Sequence, residues 1–199
     1  MVMEAVSLAA FWVCVSVSSS TQTEAWLCVG LYTTHYGYRS FIYPLLGSSS
    51  AASVPLSVSA MAVVFNIVNG SILGGVVLGW GTEVPAVSIV SVLGVALFAA
   101  GFLIHVRADA ILRGLRRKHG AGYHIPEGFL YRYVSCPNYL GEVIQWVGFA
   151  CMLDHLGGWT FAVWTAANLV PRALDHHRWY RERFPDYPPQ RKALVPGLL

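Results

Sequence analysis

Charge is what this chain has least of. Lys, Arg, Asp and Glu make up 12% of its 199 residues, against roughly 25% in a soluble globular domain. So little charge cannot clothe a soluble surface of this size. With 55% hydrophobic residues, the chain reads as an all-α, polytopic membrane protein, since helices satisfy their own backbone in lipid. One sign is almost missing from the first half: Arg39 is the sole Lys or Arg before Arg107, and the other twelve fall between Arg107 and Lys192. A nucleic-acid partner would want a globally basic surface, so none is expected; the asymmetry instead marks loops kept in the cytosol. The four cysteines (Cys14, Cys28, Cys136, Cys151) include no CxxC pair and no zinc spacing. Three lie in apolar runs and read as packing residues, so neither a metal nor a disulfide is expected. There is no Gly-rich phosphate loop, GxSxG or HExxH, which excludes the common soluble nucleotide, serine-hydrolase and zinc-protease motifs.

What is present is a series of apolar runs, at roughly 4–19, 25–46, 54–80, 85–106, 138–156 and 157–171. A bilayer core about 30 Å thick takes around 20 helical residues, so the runs suggest about six transmembrane helices in a single integral membrane domain. Gly157-Gly158 separates the last two and reads as the turn of a tight hairpin. The basic stretches 107–133 and 172–192 then share the cytosolic side. Counting back places Gly47–Ser53 and residue 1 in the cytosol and Ser18–Glu24 outside. Ala5 to Val17 resembles the apolar region of a signal peptide, but the leading Met-Val-Met-Glu carries an acid where such a peptide carries Lys or Arg.

Polar groups stand out against this background. Arg172, His176 and Tyr180 are spaced four apart, so a helix presents them on one face. Together they offer a fixed cation, an imidazole and a phenol at a membrane surface, a set suited to a polyanion such as a nucleotide or to lipid headgroups. Asp109, Arg113 and Arg116 share another helical face, and Gly120-Ala121-Gly122 ends that helix. Tyr123-His124-Ile125-Pro126 is extended, because the residue before proline disfavours helix. A new helix starts at Pro137 or Asn138, with Asn138, Glu142 and Gln145 on one face. In the second run, His35-Tyr36-Gly37-Tyr38-Arg39 places ionisable groups at a depth that requires a cavity or a partner. Glu4 opens the first run, and Asn66 and Asn69 in the third suit interhelical hydrogen bonds.

At these strings the chain resembles the steroid 5α-reductase family (3-oxo-5α-steroid 4-dehydrogenase), and within it the plant brassinosteroid-pathway type. The matching residues are His35-Tyr36-Gly37-Tyr38-Arg39 with Ile42-Tyr43-Pro44, then Asp109 with Ile111-Leu112-Arg113, then Tyr123-His124-Ile125-Pro126. They continue with Val134-Ser135-Cys136-Pro137-Asn138-Tyr139-Leu140-Gly141-Glu142, Ala167-Asn168-Leu169-Val170-Pro171-Arg172-Ala173, His176 to Tyr180, and Tyr187-Pro188 with Arg191-Lys192-Ala193. They run in family order over nearly the whole chain.

The resemblance implies NADPH-dependent reduction of a Δ4 double bond conjugated to a 3-ketone, in a multi-pass enzyme of the endoplasmic reticulum membrane. It implies that Tyr36 and Glu4 hold the 3-keto oxygen. It places the cofactor on Asp109, Arg116, Tyr123, Asn138, Glu142, Arg172, His176 and Tyr180. Residues 1–106 become the substrate-side spans, and 107–199 the cofactor-binding segments and C-terminal hairpin. Partners reduce to a steroid or sterol enone and membrane lipid, with no obligate protein partner. The enone is expected to arrive laterally from the bilayer into a pocket near Phe11, Trp12 and Tyr32.

Some positions depart from the family pattern. The family has seven spans, and the one without a counterpart here precedes Glu4. His105 and Arg107 stand where the family has Asn and a polar residue, Ala108 replaces a Ser, and Phe129 replaces the second Gly of Pro-x-Gly-Gly. Three alternatives stay open: a trans-2-enoyl-CoA reductase-like lipid enzyme, an isoprenylcysteine methyltransferase-like enzyme, and an inactive truncated relative. Ser135-Cys136-Pro137, in place of Arg-His-Pro, speaks against the second.

Overall fold

A computed structural model describes residues 2–17, 23–46, 55–77, 88–120 and 122–199. The described residues are almost wholly helical, as the composition demands. The order is α1 (Val2–Ser16), α2 (Thr23–Gly37), a π-helical turn (Tyr38–Ile42) leading into the single turn α3 (Tyr43–Leu45), α4 (Leu56–Val77), α5 (Ile89–His119), a 3-10 turn (Phe129–Arg132), α6 (Pro137–Leu153) and α7 (Leu156–Arg183). They gather into two compact units, Met1–Val95 with Phe149–Phe161, and Ala96–Gly148 with Ala162–Leu199.

Among the described residues, two helices are long and apolar enough to cross a membrane. The 22 residues of α4 extend about 33 Å at 1.5 Å per residue. The 31 residues of α5 outrun the hydrocarbon core and end in Arg116-Arg117-Lys118-His119. Leu56, Met61 and Val64 on α4, and Ile89, Leu93 and Leu103 on α5, are exposed, as a lipid-facing surface requires. The helices α1 and α2 have 15 residues each and α6 has 17.

In the first unit, α1 and α4 approach through Gly70 and Gly74. A Cβ on Gly70 would run into the Ser7 carbonyl oxygen, and one on Gly74 would stand 2.8 Å from the Cys14 Cβ. This four-residue spacing of glycines is a packing device of membrane helices. Ser7 Oγ and the Tyr32 hydroxyl are 2.7 Å apart, and the Phe11 ring stacks on Tyr32 at 4.1 Å. Phe11 and Tyr32 are both fully buried, so they build the core of this unit, where a pocket lining was expected of them. The large apolar side chains of α1 and α2 find each other before any ligand does.

The hairpin turn also differs from expectation. It falls at Asp154, whose backbone is left-handed (φ 43°), and α7 has already begun at Leu156. Gly157 donates its backbone N–H to His155 Nδ1 at 3.0 Å, which satisfies one of the unpaired groups at the helix start. The glycines serve close packing here: a Cβ on Gly158 would stand 3.1 Å from the Ala150 Cα.

In the second unit, Gly101 of α5 faces Gly141 of α6. A Cβ on Gly141 would meet the Gly101 carbonyl oxygen and the His105 nitrogen, each at 2.6 Å. Phe98 sits edge-on to Trp146 at 6.3 Å, and both are buried. The helix α5 stops where expected: Gly120 takes φ 76° and returns its N–H to the Arg116 carbonyl at 2.9 Å. The next segment bends at Gly128 (φ 78°, ψ 175°) and Phe129 (φ 46°). The C-terminal segment then pairs with the chain entering α6. Lys192 donates its N–H to the Tyr133 carbonyl (2.9 Å), Ser135 donates to the Lys192 carbonyl (2.8 Å), and Cys136 donates to the Ala193 carbonyl (3.1 Å). Cys136, Ala173 and Leu194 form a small core beneath this pairing, and burial pushes the Cys136 thiol up to about 12.

Candidate active site

In the first unit, Glu4 and Arg39 form an ion pair. Arg39 Nη2 donates to Glu4 Oε1 at 2.6 Å, with both side chains about a quarter exposed (25% and 26%). This pair supplies the partner that Arg39 needs at its depth and ties the start of α1 to the π turn after α2. A π turn is a frequent mark of functional sites, and here it begins two residues after Tyr36. The Arg39 guanidinium also lies over the Tyr43 ring at 5.8 Å. Tyr36 is 5% exposed and packs against Tyr32 at 4.6 Å and edge-on to His35 at 5.0 Å. Glu4 and Tyr36 thus belong to one unit. Sequence reading missed Arg39 as the partner of Glu4, although opposite charges on adjacent apolar helices are the signal that finds such a pair.

All eight residues expected at the cofactor lie in the second unit. Three gather where α5 meets α6. Asn138 donates its amide to Asp109 Oδ1 at 3.3 Å, and His105 lies between the carboxylates, with Nε2 3.6 Å from Asp109 Oδ2 and Nδ1 3.8 Å from Glu142 Oε2. Asp109 and His105 are buried. Asp109 Oδ2 is buried and accepts no hydrogen bond among the described residues. Tyr131 donates its hydroxyl to the Ala108 carbonyl at 3.3 Å. Its phenol is pushed well above the usual range, chiefly by burial and next by the Asp109 charge.

A second group lines a cavity of about 450 Å³, formed by Tyr123, Arg172, Asp175, His176 and Trp179. That volume falls within the usual range of about 300–1,000 Å³ for small-molecule sites. The rings of Tyr123 and Trp179 lie 4.6 Å apart. The Tyr139 hydroxyl is 3.4 Å from His176 Nε2, so α6 reaches the rim of the cavity one residue after Asn138. His176 remains accessible as a residue, yet its ring is crowded enough that desolvation, with Arg172 adding to it and Asp175 opposing, lowers its pKa. Tyr180 stacks on Tyr187 at 5.3 Å. Burial first, and then Cys136, Tyr187 and Tyr123, push its phenol up to about 12, while Arg116 pulls the other way. Arg116 therefore lies within electrostatic reach of the expected set. Trp179 and Asp175 were missed as lining residues; their positions on the face of Arg172 and His176 could have found them.

Behind the cavity wall lies a polar knot. Ser135 Oγ is 2.6 Å from His177 Nδ1 and 2.6 Å from the Tyr187 hydroxyl. Its distance to the Lys192 carbonyl is 3.2 Å.

The residues present fit a dinucleotide. Arg116 and Arg172 are fixed cations for phosphates, Tyr123 and Trp179 offer flat faces, and Asp109, Asn138 and Glu142 offer acceptors and an amide.

A family model described as 3-oxo-5-alpha-steroid 4-dehydrogenase matches residues 52–199. The Steroid 5-alpha-reductase DET2 of Solanum lycopersicum is 39% identical over 183 residues, covering 89% of this chain and 71% of that protein. The 3-oxo-5-alpha-steroid 4-dehydrogenase 2 of Sus scrofa is 39% identical over 177 residues, covering 87% and 68%. The 3-oxo-5-alpha-steroid 4-dehydrogenase 1 of Macaca fascicularis is 38% identical over 176 residues, covering 86% and 66%. The chain thus spans about two thirds of the length of these relatives. The matches define a class, the oxidoreductases of steroid metabolism, and they include the plant type that the motifs resemble. Within that class, the chain belongs to the 3-oxo-5-alpha-steroid 4-dehydrogenase family.

Proposed function

We propose that this chain reduces the Δ4 double bond of a 3-oxo-steroid or sterol, using NADPH, as a multi-pass enzyme of the endoplasmic reticulum membrane with about six spans. The observation that carries the reading is the gathering of Tyr123, Arg172 and His176 around one cavity in a chain of this family. When bound, NADPH supplies the hydride that saturates the β-carbon of the enone, and a proton completes the reduction at the α-carbon. Substrate binding falls to residues 1–106 and cofactor binding to 107–199. Asp109, Arg116, Tyr123, Asn138, Glu142, Arg172, His176 and Tyr180 hold the cofactor.

Tyr36 donates its hydroxyl to the 3-keto oxygen, where negative charge gathers as the enolate forms. Glu4 joins it as a second donor only when its carboxyl carries a proton; as the ion pair it gives Oε1 to Arg39 instead. Such donors count most in a water-poor site, where losing one costs about 10²–10³ in rate. The apolar substrate arrives laterally from lipid, so neither a nucleic acid nor an obligate protein partner takes part.

The test is NADPH consumption by the purified, detergent-solubilised chain with progesterone and with campest-4-en-3-one. Tyr36→Phe and Glu4→Gln should each lower turnover about a hundredfold or more while leaving NADPH binding intact. No turnover with either enone, despite bound NADPH, would overturn the reading.

A further inference from the structure

The imidazole of His105 lies in the α5–α6 contact with 1% of its surface exposed. Its ring nitrogens face opposite carboxylates, Nε2 toward Asp109 Oδ2 at 3.6 Å and Nδ1 toward Glu142 Oε2 at 3.8 Å. Nδ1 also lies 3.4 Å from the Asn138 carbonyl oxygen. Two carboxylates brought together in a low-dielectric interior repel each other. A group standing between them relieves that repulsion only if it can face both. An imidazole has a nitrogen on each edge, so one ring stands against both carboxylates, although in its neutral form it carries an N–H on one edge only. The backbone holds the ring in place: a Cβ on Gly141 would come to 2.6 Å from the His105 nitrogen, so α6 presses directly on this turn of α5. The distances exceed those of formed hydrogen bonds, as is common in a site before its ligand tightens it.

We infer that His105 is the positioning residue of the cofactor face, holding Asp109 and Glu142 on its two sides and thereby fixing where both carboxylates meet the hydrogen-bonding groups of NADPH. This rests on the cofactor reading above and deepens it. His105 itself stays behind the carboxylates. One residue of this chain thus stands against two carboxylates from different helices.

The test measures NADPH binding by nicotinamide fluorescence, with the full chain in detergent, for the wild type and for His105→Leu, His105→Gln and His105→Asn. Losing the polar group that stands between the two carboxylates should weaken NADPH binding about tenfold or more in His105→Leu. His105→Gln and His105→Asn should recover part of that loss. The KM for NADPH should rise more than kcat falls, and the steroid KM should hardly move. NADPH affinity equal to wild type in His105→Leu would overturn the inference. If His105→Leu fails to fold, His105→Gln and His105→Asn decide in the same way, because identical wild-type affinity in both would overturn it. If the wild type itself binds no NADPH, the cofactor reading fails separately, and melting temperatures of the ligand-free protein decide. His105→Gln combined with Asp109→Asn, or with Glu142→Gln, should then shift the melting temperature non-additively. Strictly additive shifts would overturn the coupling.

Discussion

Arg39 donates to Glu4 across 35 residues of sequence at 2.6 Å, and this ion pair joins α1 to the turn that follows Tyr36. Partly exposed pairs contribute little to stability, about 0–1 kcal/mol, so the pair matters for where it places Glu4. Arg39→Leu should cost at most about 1 kcal/mol of stability yet lower steroid turnover at least tenfold. The double variant Arg39→Leu/Glu4→Gln should be little worse than the poorer single one. Denaturation midpoints and turnover, measured side by side, check both halves.

The α5–α6 contact is set by backbone, which cannot yield as a side chain can. A Cβ on Gly101 would collide with the Gln145 nitrogen and the Gly141 carbonyl oxygen. Overpacking of this kind costs about 1–3 kcal/mol. Gly101→Ala and Gly141→Ala should each lose about that much in thermal unfolding and weaken NADPH binding as well. Gly114→Ala, on the same α5 but with open space at the Cβ, should be neutral or slightly stabilising.

Residues 128 and 129 sit in backbone regions that suit glycine, and only the first is one. The φ of 78° and ψ of 175° at Gly128 are essentially confined to glycine. The left-handed φ of 46° at Phe129 costs an L-residue about 1–2 kcal/mol. Gly128→Ala should therefore destabilise by about 1–3 kcal/mol. Phe129→Gly should leave the melting temperature unchanged or raise it, because relieved strain offsets the added freedom of the unfolded chain.

Burial, reinforced by Arg181 and Lys192, holds the His177 ring below the usual histidine pKa, and His176 is shifted the same way. Below the ordinary histidine pKa the unfolded chain binds protons that the folded one refuses. Stability is therefore full above about pH 6.5 and falls as pH drops through that value toward the folded pKa. Thermal unfolding followed from pH 7.5 to pH 5.5 should show this loss, and His177→Gln should flatten the slope.

Much of this was legible in the sequence, because elements of strong local chemistry announce themselves. The stop of α5 at Gly120, the start of α6 at Pro137 and the shared face of Arg172 and His176 follow from backbone freedom, a fixed φ and helical spacing. Turns set by close approach were not legible. Gly157 and Gly158 read as a turn but stand in close contacts, Gly157 with Ile72 and Val76 of α4 and Gly158 with Ala150 and Leu153 of α6, and the real turn at Asp154 uses a residue that only tolerates its φ. Nor could periodicity foresee that Phe11 and Tyr32 would stack on each other, that His105 would be drawn between two carboxylates, or that Lys192 would pair with Tyr133. Each depends on partners far along the chain.

The knot at Ser135 has a consequence in direction. Ser135 Oγ has one proton for three neighbours: His177 Nδ1 and the Tyr187 hydroxyl at 2.6 Å each, and the Lys192 carbonyl at 3.2 Å. It can donate to only one of them, so the ring, the phenol or both must donate to it. The proton position on His177 and the rotation of the Tyr187 hydroxyl are thereby tied to each other through a single atom. Side chains from the entry to α6, from α7 and from the C-terminal segment share one ordering of their protons.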